Sequence, residues 1–263
     1  MIRNRPIVVC FSGLDPVGGA GISADIEAIA ALGCHAAPII TALTVQDSRG
    51  LLENNPVDAA MLLRQAKLVL EDLPVAAFKL GALGDVAVIE AVAEILSQHP
   101  QVPVVMDPVL GASGGGALAS DPMQEAMGRL LMPRATVVTP NSPEAFRLSG
   151  QKEREPAAQV LLNQGCDQVL ITGGDDEGDT IINTLHGPDG AMIKWEWPRL
   201  PFIYHGSGCT LASAVAAGLA RGWSLEEACA KAQAYTYESL RQGERLGRGQ
   251  HFPRRIWKNP ENI

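Results

Sequence analysis

The sequence holds no Cys-x-x-Cys pair, no Gly-x-Gly-x-x-Gly fingerprint and no Gly-Lys dipeptide. Those absences argue against a thioredoxin-like or zinc-ribbon site, a dinucleotide-binding turn and a P-loop. Basic residues are also scarce: 21 Lys+Arg face 29 Asp+Glu, a net charge of −8. Nucleic-acid affinity comes mainly from cations on phosphate, so a nucleic-acid partner is not expected. No apolar run of membrane-spanning length, about 20 residues, is uninterrupted. The uncharged stretch Ala28 to Gln46 is broken by Gly33, His35 and Pro38, and Leu200 to Ala220 by Pro201, His205 and glycines. Neither reads as a membrane span. The apolar run Ile7 to Phe11 behind the basic start is short for a signal-peptide core. The five cysteines are odd in number and widely spaced, which suits a reduced, cytoplasmic protein.

What is present is glycine, 27 residues in 263, in a chain that is 46% hydrophobic and 19% charged. That composition provides for a large core. Short apolar runs alternate with helical patterns. Strands are predicted at Ile7 to Phe11, Ala37 to Val45, Ala76 to Leu80, Val102 to Met106, Ala135 to Thr139 and Gln168 to Thr172. Between them, apolar residues recur at helical spacing, as with Ile22, Ile26 and Ile29, or Leu62, Ala66, Val69 and Leu73 behind an Asp58 cap. Helices are also expected near Pro122 to Leu131 and Pro156 to Gln164. This alternation predicts an α/β fold, a mostly parallel sheet with helices on both faces. Asp179 to Leu185 and Ala191 to Trp197, joined by a His-Gly-Pro-Asp-Gly turn, read as an antiparallel edge hairpin. The final third reads as helical, Ser207 to Ala220 and then Ser224 to Arg241. With no linker or repeat, residues 1–263 are expected to form a single domain.

Ligands of open α/β sheets bind beyond the carboxyl ends of strands, and the glycines cluster there. Gly13 to Gly21 follows the first strand and leads into a helix; it is either a tight turn or a loop that lets a ligand approach the backbone. His205-Gly206-Ser207-Gly208-Cys209-Thr210 opens another helix, where free N–H groups and the helix dipole favour an anion. The same field favours a thiolate at Cys209, although burial is the commoner reason for a cysteine in an apolar helix. Asp107 directly follows a strand and can hold Mg²⁺. Asn141 with Glu144 three residues later can do the same or simply cap a helix. Thr172-Gly173-Gly174 follows a further strand, and the loops Gly111 to Ala117 and Gly174 to Gly178 are candidates to close over a ligand.

Six segments in order, Gly13 to Gly21, Ile40 to Gln46, Lys79 to Gly81, Met106 to Val109, Thr139 to Glu144 and His205 to Leu211, resemble the ribokinase-like superfamily. Within it they resemble the hydroxymethylpyrimidine and phosphomethylpyrimidine kinases of thiamin biosynthesis. The resemblance implies a three-layer α/β/α kinase that takes ATP as phosphoryl donor with Mg²⁺, and works as a homodimer. Its substrate would be 4-amino-5-hydroxymethyl-2-methylpyrimidine and then the monophosphate. Gln46 would bind the aminopyrimidine, with Gly13, Ala20, Ala82 and Val109 lining the pocket and Asp15 in the same loop. Gly206, Ser207 and Gly208 would form the anion hole beside Cys209, the proton acceptor. Asn141, Thr172 and Gly174 would serve ATP, and Asp107 and Glu144 the metal. The sequence departs from the family at two usual lysines, one after Asp-Pro-Val and one where Thr172 stands, and has Ala82 in place of a methionine. Arg248 is the candidate to supply the missing charge. The alternative substrates are pyridoxal or pyridoxine, and a catalytically weak pyrimidine-binding homologue is the alternative class.

Overall fold

The computed structural model describes residues 5–111 and 115–257. Among the described residues nine strands make one sheet: β1 (Ile7–Leu14), β2 (His35–Gln46), β3 (Leu51–Pro56), β4 (Val75–Leu80), β5 (Val104–Met106), β6 (Val137–Val138), β7 (Gln168–Ile171), β8 (Thr180–His186) and β9 (Met192–Pro198). Their spatial order is β3-β2-β1-β4-β5-β6-β7-β8-β9. The six strands from β2 to β7 in that order run parallel. Antiparallel β3 and the β8–β9 hairpin form the two edges.

Side-chain alternation along the buried strands creates two cores. Ile7, Val9 and Phe11 of β1 face one, packed against α2 (Ala59–Asp72), α3 (Val86–Ser97), α4 (Asp121–Ala126), α5 (Ser142–Ser149) and α6 (Arg154–Asn163). Val8 and Cys10 face the other, packed against α1 (Gly21–Ala31), α7 (Ser207–Ala220) and α8 (Leu225–Arg241). The result is the expected α/β/α sandwich. Asp58 caps α2 through Met61 N at 2.7 Å, as its spacing predicts.

Two differences have local causes. The expected helix from Pro122 to Leu131 is α-helical only to Ala126, continues as a π-turn over Met127–Leu131 and ends in a 3₁₀ turn, Met132–Arg134. Pro133 has no amide and its ring clashes with the carbonyl four residues back, so the α register stops there. Strand β3, Leu-Leu-Glu-Asn-Asn-Pro, was not expected, because its two leucines and the Glu-Asn-Asn that follows lack the apolar alternation that marks a half-buried strand. Of the loop Gly111 to Ala117, residues 112–114 lie outside the described residues. Among the described residues, no helix is long and apolar enough to cross a membrane.

Candidate active site

The chain steps from β1 to β2 on one side and later to β4 on the other, so a crevice opens at the carboxyl ends of β1 and β4. Two glycine loops meet at this end of the sheet. Gly206, the N-cap of α7, has φ of 80°. A Cβ there would overlap the Gly19 carbonyl, so only glycine allows the loops to touch. Asp15 shapes the first loop: its Oδ1 accepts from Val17 N at 3.0 Å, and its Oδ2 accepts from Ala20 N at 2.8 Å. His205 Nε2 lies 2.9 Å from the same Oδ2 and joins this loop to the start of α7. Burial would raise the Asp15 pKa, but the His205 hydrogen bond and charge and the two amides outweigh it and hold the carboxyl below its usual value. Asp15, expected in the substrate loop, is therefore committed to organising that loop.

On the other side of Gly206, Ser207, Gly208 and Cys209 form the first turn of α7. Their N–H groups have no partner inside a helix at this position. Gly208 borders Asp107: a Cβ on it would stand 3.9 Å from both carboxylate oxygens. Burial pushes the Asp107 carboxyl up to about 6, the nearby Lys79 charge opposes this, and Asp25 adds to it; the neighbouring Cys209 thiol also lowers it. Among the described residues, Asp107 Oδ2 is buried without a hydrogen-bond partner.

All five cysteines are free, and Cys209 alone is not fully buried. The helix field predicts a favoured thiolate there, but the structure reverses this. Removal from water pushes the Cys209 thiol up to about 12; Lys79 opposes the shift, and Asp107 and Asp25 reinforce it. In the free protein the group is a thiol.

Beneath this turn is a buried network that the sequence reading did not assign. Lys79 Nζ on β4 is 2.8 Å from Asp25 Oδ1 on α1 and donates to Ser12 Oγ on β1 at 3.1 Å. Ser213 Oγ on α7 donates to the same Asp25 oxygen at 2.6 Å. Lys79 and Asp25 are fully buried. Burial alone would lower the Lys79 pKa, but the charges of Asp25 and Asp107 hold it up and keep it cationic. A lone charge inside Ala-Ala-Phe-Lys-Leu, and another on the Ile22–Ile29 stripe, were the signals that could have found them.

The loops after β6 and β7 meet through Asn141 and Thr172, which form a parallel bridge. Asn141 and Glu144 make a capping box: Asn141 Oδ1 accepts from Glu144 N at 2.8 Å, and Glu144 Oε2 accepts from Asn141 N at 3.0 Å. Glu144 Oε1 also accepts from Leu110 N at 3.1 Å, tying this loop to the one after Asp107. Burial, then the charge of Asp107, push the Glu144 carboxyl up to about 8 against those two amides. Gly174, in the next loop, is part of a brace: Arg199 donates to the carbonyls of Gly174, Asp176 and Gly178 at 2.5–2.7 Å. Asn183 Oδ1 accepts from Gly173 N at 3.0 Å.

On the acceptor side, Gly13 faces Ala42 and Ala82; a Cβ on Gly13 would lie 3.8–3.9 Å from theirs. Gln46 donates from Nε2 to Thr44 Oγ1 at 2.8 Å, and Thr44 Oγ1 donates to Leu14 O at 2.8 Å. Val109 is half-buried in the turn after Asp107. Arg248 is exposed in a segment whose next residues bond to Ser48, in the turn between β2 and β3. That is at the far side of the sheet from Thr172, where one of the two missing lysines would stand, while the loop of the other, after Asp107, meets β3 where Leu51 N donates to Gly115 O at 3.2 Å.

A crevice at the switch point, a helix start with free N–H groups and the Asp107 and Glu144 carboxyls suit a phosphotransferase, and the architecture is that of the ribokinase-like class. Residues 15–254 match the family model described as phosphomethylpyrimidine kinase. The chain is 37% identical over 250 residues to the hydroxymethylpyrimidine/phosphomethylpyrimidine kinase of Streptomyces coelicolor, covering 93% of this chain and 92% of that protein. It is 38% identical over 256 residues to the thiamine biosynthesis bifunctional protein ThiED of Geobacter sulfurreducens, covering 95% of this chain and about half, 52%, of that longer protein. Among solved structures it is similar to an ADP complex of Bacillus subtilis pyridoxal kinase, with a TM-score of 0.87 and 27% identity over 95% of this chain and 97% of that one. The chain belongs to the phosphomethylpyrimidine kinase family and is a kinase.

Proposed function

We propose that this kinase transfers the γ-phosphoryl group of ATP to the hydroxymethyl oxygen of 4-amino-5-hydroxymethyl-2-methylpyrimidine, and then phosphorylates the monophosphate. The observation that carries the reading is the meeting of the Gly206–Cys209 turn, Asp107 and the Gly13–Gly21 loop at one end of the sheet. Phosphoryl transfer needs in-line placement and stabilisation of spread negative charge, and amides at a helix start supply that stabilisation without a cationic side chain. The new bond joins the acceptor oxygen to the γ-phosphorus, the bond to the β–γ bridging oxygen breaks, and the hydroxyl proton goes to the Cys209 sulfur, which takes part as a thiolate after its own proton has left to solvent. Gln46, whose amide nitrogen is engaged by Thr44, offers its carbonyl oxygen to the exocyclic amino group. Gly13, Ala20, Ala82 and Val109 line the ring. Asn141, Thr172 and Gly174 serve the nucleotide.

Mg²⁺ fits the residues present. Asp107 Oδ2 is buried without a partner, and burial holds both Asp107 and Glu144 above their usual pKa. A buried carboxylate oxygen without a partner is best relieved by a small dication. Asp107 and Glu144 would hold the ion or its waters, and the ion would neutralise phosphate charge. Its charge also opposes the carboxylates that raise the Cys209 thiol.

Residues 1–263 are proposed to work as one domain, supported by a single sheet that runs through the described chain. A homodimer is proposed through β2 and β3, where Leu43 (50% exposed), Val45 (46%) and Leu52 (78%) leave apolar surface uncovered. Five unpaired cysteines support a cytoplasmic location. Following mono- and diphosphate formation from the hydroxymethylpyrimidine with MgATP tests the activity, and absence of both products would refute it. The second reading, pyridoxal as acceptor, is favoured by the pyridoxal kinase likeness and by the small residues Gly13, Ala42 and Ala82. Comparison of kcat/KM for the two alcohols decides between them.

A further inference from the structure

The C-terminal segment returns across both glycine loops. His251 O accepts from His205 N at 2.8 Å, and the Phe252 ring stands edge-on to His205 at 5.9 Å. Arg255, one residue beyond the span matched by the family model, is 2% exposed. Its guanidinium divides among three elements. Nε donates to Thr210 Oγ1 at 2.8 Å in the first turn of α7, Nη1 donates to Glu27 Oε2 at 3.1 Å on α1, and Nη2 donates to the Gly19 carbonyl. Thr210 Oγ1 in turn donates to Gly206 O at 2.8 Å. Tyr235 OH donates to the Arg255 carbonyl at 2.8 Å and anchors the segment on α8.

The peptide group between Gly19 and Ala20 is thereby held on both sides. Its carbonyl accepts from Arg255, and its N–H donates to Asp15 at 2.8 Å. Because a trans peptide is planar with carbonyl and N–H opposed, two clamps on opposite sides fix the plane's orientation. A buried guanidinium is costly unless every donor direction is used, and its rigid fork reaches acceptors that a lysine's single nitrogen cannot span.

We propose that Arg255 is a positioning residue that locks the acceptor loop to the anion-binding turn, so that the hydroxyl to be phosphorylated and the Gly206–Gly208 amides stay in register. The proposal rests on the reading of the site above. Arg255 touches neither the reacting groups nor the nucleotide loops. A misplacement of about 1 Å between reacting partners can cost about 10²-fold in rate.

The test compares Arg255→Lys, Thr210→Val and the double variant with the wild-type protein, recording kcat, KM for ATP, thermal midpoint and amide hydrogen exchange. Arg255→Lys should lower kcat about 10- to 100-fold in fully folded protein, while KM for ATP stays within about twofold. The double variant should be no slower than Arg255→Lys alone, because both changes cut the same tie. Exchange should rise together in Val17–Gly21 and Gly206–Thr210. If Arg255→Lys keeps the wild-type kcat, or loses activity only in proportion to the unfolded fraction, the proposal is overturned. The exchange arm needs no substrate. Failure of the wild-type protein to phosphorylate the pyrimidine would refute the substrate reading alone, whereas an unchanged exchange pattern in Arg255→Lys would refute the lock.

Discussion

At the scale of single residues, the site is a contest between burial and compensating charge. Cys209 carries the largest consequence: if it is the proposed proton acceptor, its replacement by Ala should lower kcat about 10²- to 10⁴-fold while pyrimidine binding persists. Cys209→Ser separates acceptance from positioning. A serine hydroxyl still bonds the substrate but is far less able to take a proton, so its kcat should fall as far as that of Cys209→Ala. Parity with wild type would remove Cys209 from the proton path. Asp15 makes a pH-dependent prediction. Its folded pKa lies below the unfolded value of about 3.9, so its contribution is full above that value and is lost as the pH falls through the folded pKa. Asp15→Asn should cost about 1.5–3 kcal/mol near pH 7, as for a hydrogen-bonded charge. Denaturant unfolding between pH 7 and pH 3 should show the gap to wild type closing at the acid end.

At the scale of elements, the start of α7 shows how two neighbouring glycines differ. Gly206 has φ of 80° and no room for a Cβ against Gly19, so Gly206→Ala should destabilise by about 1–3 kcal/mol and abolish turnover by displacing the anion-binding turn. Gly208 has a φ that any residue adopts, and its Cβ would make only ordinary contact with Asp107 at 3.9 Å. Gly208→Ala should therefore keep the wild-type thermal midpoint and lose at least about tenfold in kcat, because the added methyl stands where phosphate must approach Asp107. Equal losses of stability in the two variants would show that the turn is merely structural. The loop after β7, glycine-rich and expected to close over the site, is instead cross-braced. Arg199 ties three of its carbonyls, and Arg154 bonds Ser142 Oγ, the Ile182 carbonyl and Asp176.

At the scale of the whole molecule, the exposed apolar residues of β2 and β3 are the surface of the proposed homodimer. Leu43 and Val45 lie on the opposite side of β2 from Thr44 and Gln46, so an interface there would be one strand away from the acceptor pocket. Leu52→Glu with Val45→Lys should shift the protein from dimer to monomer in sedimentation and raise KM for the pyrimidine more than KM for ATP. A monomeric wild-type protein would remove that interface.

The strand and helix alternation, the antiparallel edge hairpin and the glycine loops at strand ends were legible in the sequence, because each depends on local periodicity or on a backbone conformation that one residue type favours. Ser207 to Ala220 is helical over the expected span for that reason. The polar edge strand Leu51–Pro56 was not legible, since its pairing comes from β2 and not from its own pattern. The ties that assemble the site were equally hidden. Asp15 with His205 spans 190 positions, Arg255 with Gly19 spans 236, and Lys79 with Asp25 joins two elements across a buried layer. Sequence determined which residue types stand at strand ends. Only the packed structure decided that burial turns Cys209 into a thiol, commits Asp15 to its own loop and brings the C-terminal arginine under the site, because desolvation and long-range hydrogen bonds exist only once distant segments exclude water together.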